Sequence, residues 1–248
     1  MTKHEDGACC ALPTKEQTRQ RLAKDLMYQA VDMIKLDQVA SAETLIKAAY
    51  VLLDESGGRT NATGAWLLQM QANICEKNGQ MLKTIDFSRK AKELAKEIFG
   101  RNDAFACTFM LFYALNLAQA GYERGLYMVE KGIKRLEKAA ANPNAPAAWV
   151  EYVLSDARKS LARERKTHDP KKACKLFAQL YCGDRNGVYS VELSRKGNNR
   201  KSAKIVVKLS CANSLNIIAE EHRQKYKGIP VEISVEPVPG MVTLHRAS

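Results

Sequence analysis

Six basic side chains lie close together near the end of the chain, and they are Arg195, Lys196, Arg200, Lys201, Lys204 and Lys208. Lysine and arginine bind anions, because their charged nitrogens donate hydrogen bonds to phosphate and carboxylate oxygens. The excess charge is concentrated in the same part of the chain. Residues 142–248 contain 19 Lys and Arg against 10 Asp and Glu, whereas residues 1–141 contain 20 against 17. The sequence therefore predicts an anionic partner for the C-terminal end.

The backbone around this basic segment (residues 195–208) has the pattern of a β-hairpin. Gly197, Asn198 and Asn199 tolerate the positive φ of a tight turn, and alternating apolar residues lie on both sides of them. Such a two-stranded ribbon could contact nucleic-acid phosphates, contact an acidic protein surface, or protect a sheet edge with lysines. Tyr189 is the one aromatic residue of the ribbon, so it has no stacking platform of the type that readers of single-stranded RNA use. The three interpretations stay open.

The chain lacks the residue patterns of common catalytic and metal sites. It contains no P-loop, no G-x-G-x-x-G, no H-E-x-x-H and no G-x-S-x-G motif. Its four histidines are isolated, and His222 lies on the apolar side of a predicted helix, which favours a core histidine over a general base. The seven cysteines are scattered without the C-x₂₋₄-C spacing of zinc ligands, which favours free thiols in a reducing compartment. We expect no enzymatic activity, no cofactor and no metal.

A repeat of 42 residues organises the first 141 residues. The residues that recur at this spacing are Leu26, Leu68 and Met110; Ala30, Ala72 and Ala114; Met33, Cys75 and Leu117; and Asp37, Gly79 and Gly121. In each copy the first three positions form an apolar helical stripe and the fourth is a turn residue. The pattern predicts three helical hairpins.

The second helix of each hairpin carries mostly small residues at helical spacing. These residues are Val39, Ala42, Ile46 and Ala49; Met81, Thr84, Ser88 and Ala91; and, if the third turn slips by one residue, Tyr122, Gly125, Val129 and Gly132. Small side chains allow the two helices of a hairpin to approach closely, because larger ones would overpack the contact.

This pattern resembles the tetratricopeptide repeat, in the long variety found in kinesin light chains, over about residues 20–141. Two features depart from the family: the first turn has Asp37 where glycine is usual, and only the third unit has a proline, Pro143, near its end. The resemblance implies a groove, lined by the first helix of each unit, that holds a peptide or a partner helix.

The resemblance places the groove on twelve residues: Lys24, Met27, Val31 and Lys35; Trp66, Gln69, Asn73 and Lys77; and Thr108, Leu111, Leu115 and Gln119. The partner-binding residues that we predict among them are Lys24, Met27, Lys35, Trp66, Gln69, Asn73, Lys77 and Gln119. Val31 and Leu115 break the polar pattern of the members that bind a carboxylate terminus. Trp66 fits the core as well as it fits the groove.

We predict a mainly α fold: an α-solenoid of about three helical hairpins with capping helices, followed by a small α+β unit. Residues 1–14 are expected to be disordered, residues 15–182 to form the helical domain with caps at 147–181, and residues 183–248 to form the basic unit. From Gly183 the apolar period changes to two, which predicts a β–β–α–β–β order with its helix at 213–227 and further strands at 231–236 and 241–246.

These features favour a non-enzymatic adaptor or scaffold that binds a protein partner in the groove. The competing hypothesis is a nucleic-acid-binding protein that uses the basic segment, with the repeats serving recruitment or dimerisation. No apolar run approaches the roughly 20 residues that span a bilayer, so we expect a soluble protein in the cytoplasm. The identity of the partner and self-association stay open.

Overall fold

The structure is a computed structural model that describes residues 13–142, 145–165, 169–182, 187–194 and 203–236. The helices of these segments are α1 (Lys15–Lys35), α2 (Val39–Asp54), α3 (Ala62–Lys77), α4 (Met81–Phe99), α5 (Ala104–Gln119), α6 (Glu123–Ala140), α7 (Ala147–Glu164) and α8 (Pro170–Tyr181). The strands are β1 (Val188–Ser194), β2 (Lys204–Leu209), β3 (Lys225–Tyr226) and β4 (Ile229–Val235). The predicted class, mainly α with a small C-terminal α+β unit, is confirmed. Within the described segments, no helix is both long and apolar enough to cross a membrane.

The first six helices pair as three helical hairpins with identical turn geometry. In each turn a backbone N–H donates to the carbonyl five residues earlier: Gln38 to Met33 at 2.9 Å, Gln80 to Cys75 at 2.8 Å, and Tyr122 to Leu117 at 3.0 Å. The residue before each donor has a positive φ, which is 61° at Asp37, 71° at Gly79 and 89° at Gly121. This is the hydrogen-bond pattern of a helix that ends in a left-handed residue. The repeat therefore places the turns correctly, including the first, which has no glycine.

Small residues bring the two helices of each hairpin together, as the repeat predicts. The small residues predicted on the second helices have no exposed surface at Ala42, Ala49, Thr84, Ser88 and Ala91. The alanines of the first helices that face them, Ala30, Ala72 and Ala114, are equally buried. The third turn, however, does not slip, because α6 begins at Glu123, which is 42 residues after the start of α4. The buried face of α6 shifts by one residue instead, so that Gly125 packs against α5, where a Cβ atom would lie 2.3 Å from the backbone nitrogen of Ala118.

The last two helices have different neighbours. Helix α7 packs against α5 and α6 and so continues the row of helical hairpins. At the start of helix α8, Asp169 accepts a hydrogen bond from the Lys171 N–H at 2.7 Å and Pro170 occupies the first turn. Its apolar face packs on β1, and Phe177 belongs to the same core as Leu117 of α5 and Ile205 of β2. This core attaches the sheet to the turn end of the third helical hairpin.

The sheet has the strand order β1-β2-β4-β3. Strands β1 and β2 are antiparallel, with Leu193 opposite Ile205, whereas β2 and β4 are parallel, with Ile205 opposite Val231. The hairpin turn predicted at 197–199 and the strand predicted at 241–246 lie outside the described residues, as does most of the N-terminal segment 1–14.

The helix predicted at 213–227 is wrong. Two short 3₁₀ segments, Ala212–Ile217 and Glu220–His222, stand there, and β3 follows them. The chain is extended at Ile218, whose carbonyl accepts a hydrogen bond from the Arg223 side chain at 3.0 Å. The next N–H, of Ala219, donates to the Tyr181 hydroxyl at 3.4 Å. A local side-chain contact and a tertiary contact therefore take backbone groups that a continuous helix would pair.

A buried histidine lies between α8, the third turn and the sheet. His222 is 1% exposed, and its Nδ1 is 2.6 Å from the Tyr181 hydroxyl oxygen. Its ring also packs on Tyr122 and Tyr226. Burial lowers the pKa of His222 to about 4, while contact with the Gly121 backbone partly opposes the shift. His222 is a core histidine, as predicted, although it does not stand on an α-helix.

We expect the burial of His222 to make stability depend on pH. The folded state keeps the imidazole neutral below its ordinary pKa of 6.5, whereas the unfolded chain takes up the proton. Stability is therefore fully present above about pH 6.5 and falls as the pH is lowered towards 4, by up to about 3 kcal/mol. Urea unfolding at pH 7.5 and 5.0 measures this loss. His222→Phe should lose less on acidification than the wild type, and equal losses in both proteins would contradict the assignment.

Candidate functional site

A groove runs along the first helices of the three hairpins and α7. Two adjoining cavities of about 520 and 790 Å³ form it, and they share Ile34, Gln69, Asn73, Phe112 and Asp156. These residues come from α1, α3, α5 and α7, so each helix of this layer contributes to the lining. The second helices, α2, α4 and α6, contribute no side chain to either cavity.

Six of the eight predicted partner-binding residues line the groove: Lys35, Trp66, Gln69, Asn73, Lys77 and Gln119. The other two lie elsewhere, because the groove reaches only the C-terminal half of α1. Met27 is buried in the core of the first helical hairpin, and Lys24 extends over the ring of Tyr28. Val31 and Leu115 also line the groove, whereas Thr108 and Leu111 are fully buried.

Helix α7 forms a wall of the groove that the repeat does not predict. Its lining residues include Trp149, Tyr152, Asp156, Ser160 and Arg163. They succeed one another at spacings of three and four residues, which puts them on one helical face. This spacing was visible in the sequence. However, α7 has no counterpart of the repeat positions, so the resemblance points to no groove residue on it.

Three buried polar atoms in the groove have no hydrogen-bond partner among the described residues: Gln69 Oε1, Asn116 Nδ2 and Trp149 Nε1. Gln69 is 3% exposed and Asn116 7% exposed. The amide nitrogen of Gln69 donates to Asn73 Oδ1 at 2.9 Å, which leaves the Gln69 oxygen as an acceptor without a donor. A buried polar group without a partner costs about 1–3 kcal/mol. One acceptor and two donors on residues that line the groove are therefore left without a partner within the described part of the protein.

A cluster of aromatic rings lines the larger of the two cavities. The Trp66 ring centroid lies 4.7 Å from that of Phe109, 6.4 Å from that of Phe112 and 5.6 Å from that of Trp149. Trp66 therefore belongs both to the core and to the groove, since it packs on the buried Phe109 and lines the groove. Tyr152 extends the cluster beyond Trp149 and is 65% exposed.

The basic residues of the groove are already paired with carboxylates. The side chain of Lys35 lies 3.2 Å from that of Asp32, Lys77 lies 2.6 Å from Asp37, and Arg163 lies 3.4 Å from Glu164. The hydrogen bond from Lys77 holds the pKa of Asp37 below its ordinary value.

Two acidic residues of the groove, unlike its basic residues, form no ion pair among the described residues. Glu76 accepts a hydrogen bond from the neutral Gln119 amide at 2.6 Å, and Asp156 is exposed. Within the described segments neither carboxylate has a cationic partner. The groove therefore presents two negative charges without an ion pair in the described segments, against one partly compensated positive charge on Arg163, which shares Glu164 with Lys227.

Two lysines of the basic segment belong to the sheet. Lys204 lies 3.1 Å from Glu232, and Lys208 lies 3.2 Å from Glu236. The hydrogen bond from Lys208 lowers the pKa of Glu236. The parallel pairing of β2 with β4 brings these opposite charges together. Arg195, Lys196, Arg200 and Lys201 lie outside the described residues, so anion binding by this segment stays a prediction.

The groove thus joins buried amide groups, aromatic rings and carboxylates along one side of the row of hairpins. Hydrogen-bonding groups that converge in a largely apolar cleft are typical of a ligand site. Comparisons with protein-family models, with curated proteins and with solved structures find no match for this chain. The geometry of the groove is therefore the basis on which a function is assigned.

Proposed function

We propose that the protein is an adaptor that holds an extended segment of a partner protein in the groove. The single observation that carries this proposal is the set of three buried atoms without partners: Gln69 Oε1, Asn116 Nδ2 and Trp149 Nε1. An extended peptide carries one N–H donor and one carbonyl acceptor per residue. Its N–H groups match the Gln69 oxygen, and its carbonyls match the nitrogens of Asn116 and Trp149, once rotation of these side chains brings the buried atoms to the groove surface.

The shape of the groove also suits a peptide. The cavities run past four helices, so the ligand that fills them is elongated. Trp66, Phe112 and Tyr152 offer rings for its apolar side chains, and aromatic residues are prominent among the residues that dominate binding energy at interfaces.

The tetratricopeptide resemblance supports the same proposal. Turns with a positive φ at Asp37, Gly79 and Gly121, small buried residues within each hairpin, and a groove lined by first helices are the features that this resemblance implies. We therefore treat the helical hairpins as a tetratricopeptide-like array that α7 extends. In such arrays each repeat adds one helix to a continuous binding surface.

The proposal predicts that Asn116→Leu weakens peptide binding without destabilising the fold. The variant removes the buried Asn116 Nδ2, which has no partner in the described part of the free protein. Replacing it with an apolar side chain of similar volume should leave the free energy of unfolding equal or higher. The peptide loses a hydrogen bond, however, so its Kd should rise about 10- to 100-fold.

A selection from a random peptide library on the immobilised full chain supplies the ligands for this test. The affinities of the selected peptides are then measured for the wild type, for Asn116→Leu and for Asn213→Ala, a control that removes an exposed amide outside the groove. Urea unfolding of the three proteins supplies their stabilities. Peptides that bind Asn116→Leu as tightly as the wild type would refute the proposal, as would a selection that yields no binding peptide.

A further inference from the structure

We infer that the end of the groove beside Trp149, Tyr152 and Asp156 is a subsite for one basic side chain, lysine or arginine, of the bound peptide. The inference rests on the proposed function and specifies the chemistry of the partner.

The three residues of this subsite stand on one face of α7. Tyr152 follows Trp149 by three residues, and Asp156 follows Tyr152 by four, so the side chains succeed one another along the helix. The ring centroids of Trp149 and Tyr152 are 5.9 Å apart, and that of Trp66 lies 5.6 Å from Trp149 across the groove. All four residues line the same cavity. Two or three rings beside one carboxylate form the environment that attracts a cation, because the negative faces of the rings add to the carboxylate charge.

The charges of the groove favour a basic ligand over an acidic one. Lys35 and Lys77 each engage a carboxylate of this chain, and Arg163 shares the Glu164 carboxylate with Lys227. Asp156 and Glu76 have no cationic partner in the segments that the structure describes, so they attract a positive ligand and repel a negative one. An entirely apolar ligand would leave the Asp156 carboxylate against hydrocarbon without compensation, which is unfavourable.

The amide side chains next to the subsite bind the peptide backbone. The basic side chain therefore reaches the rings as part of a bound peptide and not as a free cation. Gln69 lines both cavities, and Asn116 lines the one next to the subsite. Both are buried side chains with an atom that has no partner among the described residues. The backbone hydrogen bonds provide affinity for any extended peptide, and the ring and carboxylate contacts select one that carries a lysine or arginine.

The chain provides its own optical probe for this subsite. It contains two tryptophans, and both line the groove. Intrinsic tryptophan emission therefore reports on the groove alone, and titration with peptides selected from the random library needs no label. Peptides selected on the wild type should contain a lysine or arginine at a shared position.

The decisive experiment exchanges that basic residue for a neutral one in the peptide and Asp156 for asparagine in the protein. Arginine replaced by citrulline, or lysine by norleucine, should weaken binding to the wild type about 10-fold. The same exchange should weaken binding to Asp156→Asn less, about two- to threefold, because only the rings still favour the charge. Asp25→Asn, which removes an exposed carboxylate on α1 outside the groove, should behave like the wild type.

The outcomes separate the subsite from the proposed function. Peptides that depend on Asn116 but bind Asp156→Asn and the wild type with the same preference for arginine would overturn the subsite and leave the groove proposal standing. Selected peptides rich in aspartate or glutamate would do the same. Peptides that are indifferent to Asn116→Leu would overturn both.

Discussion

Replacing Gly121 with alanine is expected to lower the free energy of unfolding by about 2 to 5 kcal/mol. Gly121 has a φ of 89°, and an L-residue in this region costs about 1–2 kcal/mol. The added Cβ atom would also lie 2.5 Å from the ring of Tyr226 in β3, so the ring or the turn must move. Overpacking of this kind costs about 1–3 kcal/mol more. Urea unfolding followed by circular dichroism measures the sum.

Gly79→Ala is the matched control for this prediction. Gly79 holds the same turn position in the second helical hairpin with a φ of 71°, and its Cβ would meet the Gln179 side chain only at an ordinary contact distance of 3.4 Å. This variant should carry only the backbone cost, about 1–2 kcal/mol. The difference between the two variants thus reports the contact of the third turn with β3, which attaches the sheet to the helical hairpins. Equal losses in the two variants would show that this contact contributes nothing.

Replacing Lys227 with methionine is expected to cost about 3 to 5 kcal/mol. The Lys227 side chain is 3% exposed and its Nζ lies 2.8 Å from a carboxylate oxygen of Glu164, whose side chain is 9% exposed. Breaking a buried ion pair on one side is costly, because the remaining Glu164 carboxylate is poorly solvated and keeps a contact, at 3.4 Å, with the largely exposed Arg163 side chain in place of a buried cation. Methionine keeps the length of the aliphatic stem, so loss of the charge rather than loss of packing dominates. Urea unfolding at pH 7.5 measures the effect.

The double variant Lys227→Met with Glu164→Gln separates the charge effect from other causes. Removing both charges abolishes the desolvation cost, so the double variant should recover more than half of the stability that Lys227→Met loses. Glu164 ends α7 and lines the groove, whereas Lys227 stands between β3 and β4. The pair therefore links the groove wall to the sheet. A double variant as unstable as the sum of the two single variants would contradict a direct interaction.

The sequence predicted local geometry well wherever a repeat encoded it. The 42-residue period places the left-handed turn residues at Asp37, Gly79 and Gly121, because the same hydrogen bond ends the first helix in each repeat. It also identifies the buried alanines, since close helix packing requires a small side chain at fixed positions.

Features that depend on tertiary contacts were not predicted. The wall that α7 adds to the groove arises from its packing on α5 and α6, and no local pattern encodes that packing. The helix predicted at 213–227 has helical periodicity in its sequence, yet hydrogen bonds from Arg223 and to Tyr181 keep the backbone around Ile218 and Ala219 extended. The pairing of Lys204 with Glu232 depends on the parallel register of β2 and β4, which the strand patterns alone do not specify.

The competing nucleic-acid hypothesis has its own signature. If the basic segment binds phosphates, duplex or single-stranded DNA or RNA should bind with a steep salt dependence that flattens when Arg200, Lys201 and Lys204 are reversed to glutamate. Lys204 and Lys208 already contact carboxylates of their own sheet, which reduces the positive charge that they offer to a partner.

The most direct test of the central claim is to locate a bound peptide on the protein. A peptide selected from the random library is synthesised with a photoreactive benzophenone side chain, cross-linked to the full chain, and mapped by mass spectrometry. We predict attachment to α3, α5 and α7 near Trp66, Phe112 and Trp149, with loss of attachment in Asn116→Leu. Attachment to α2, α4 or α6, or to β1 and β2, would contradict the assignment of partner binding to the groove.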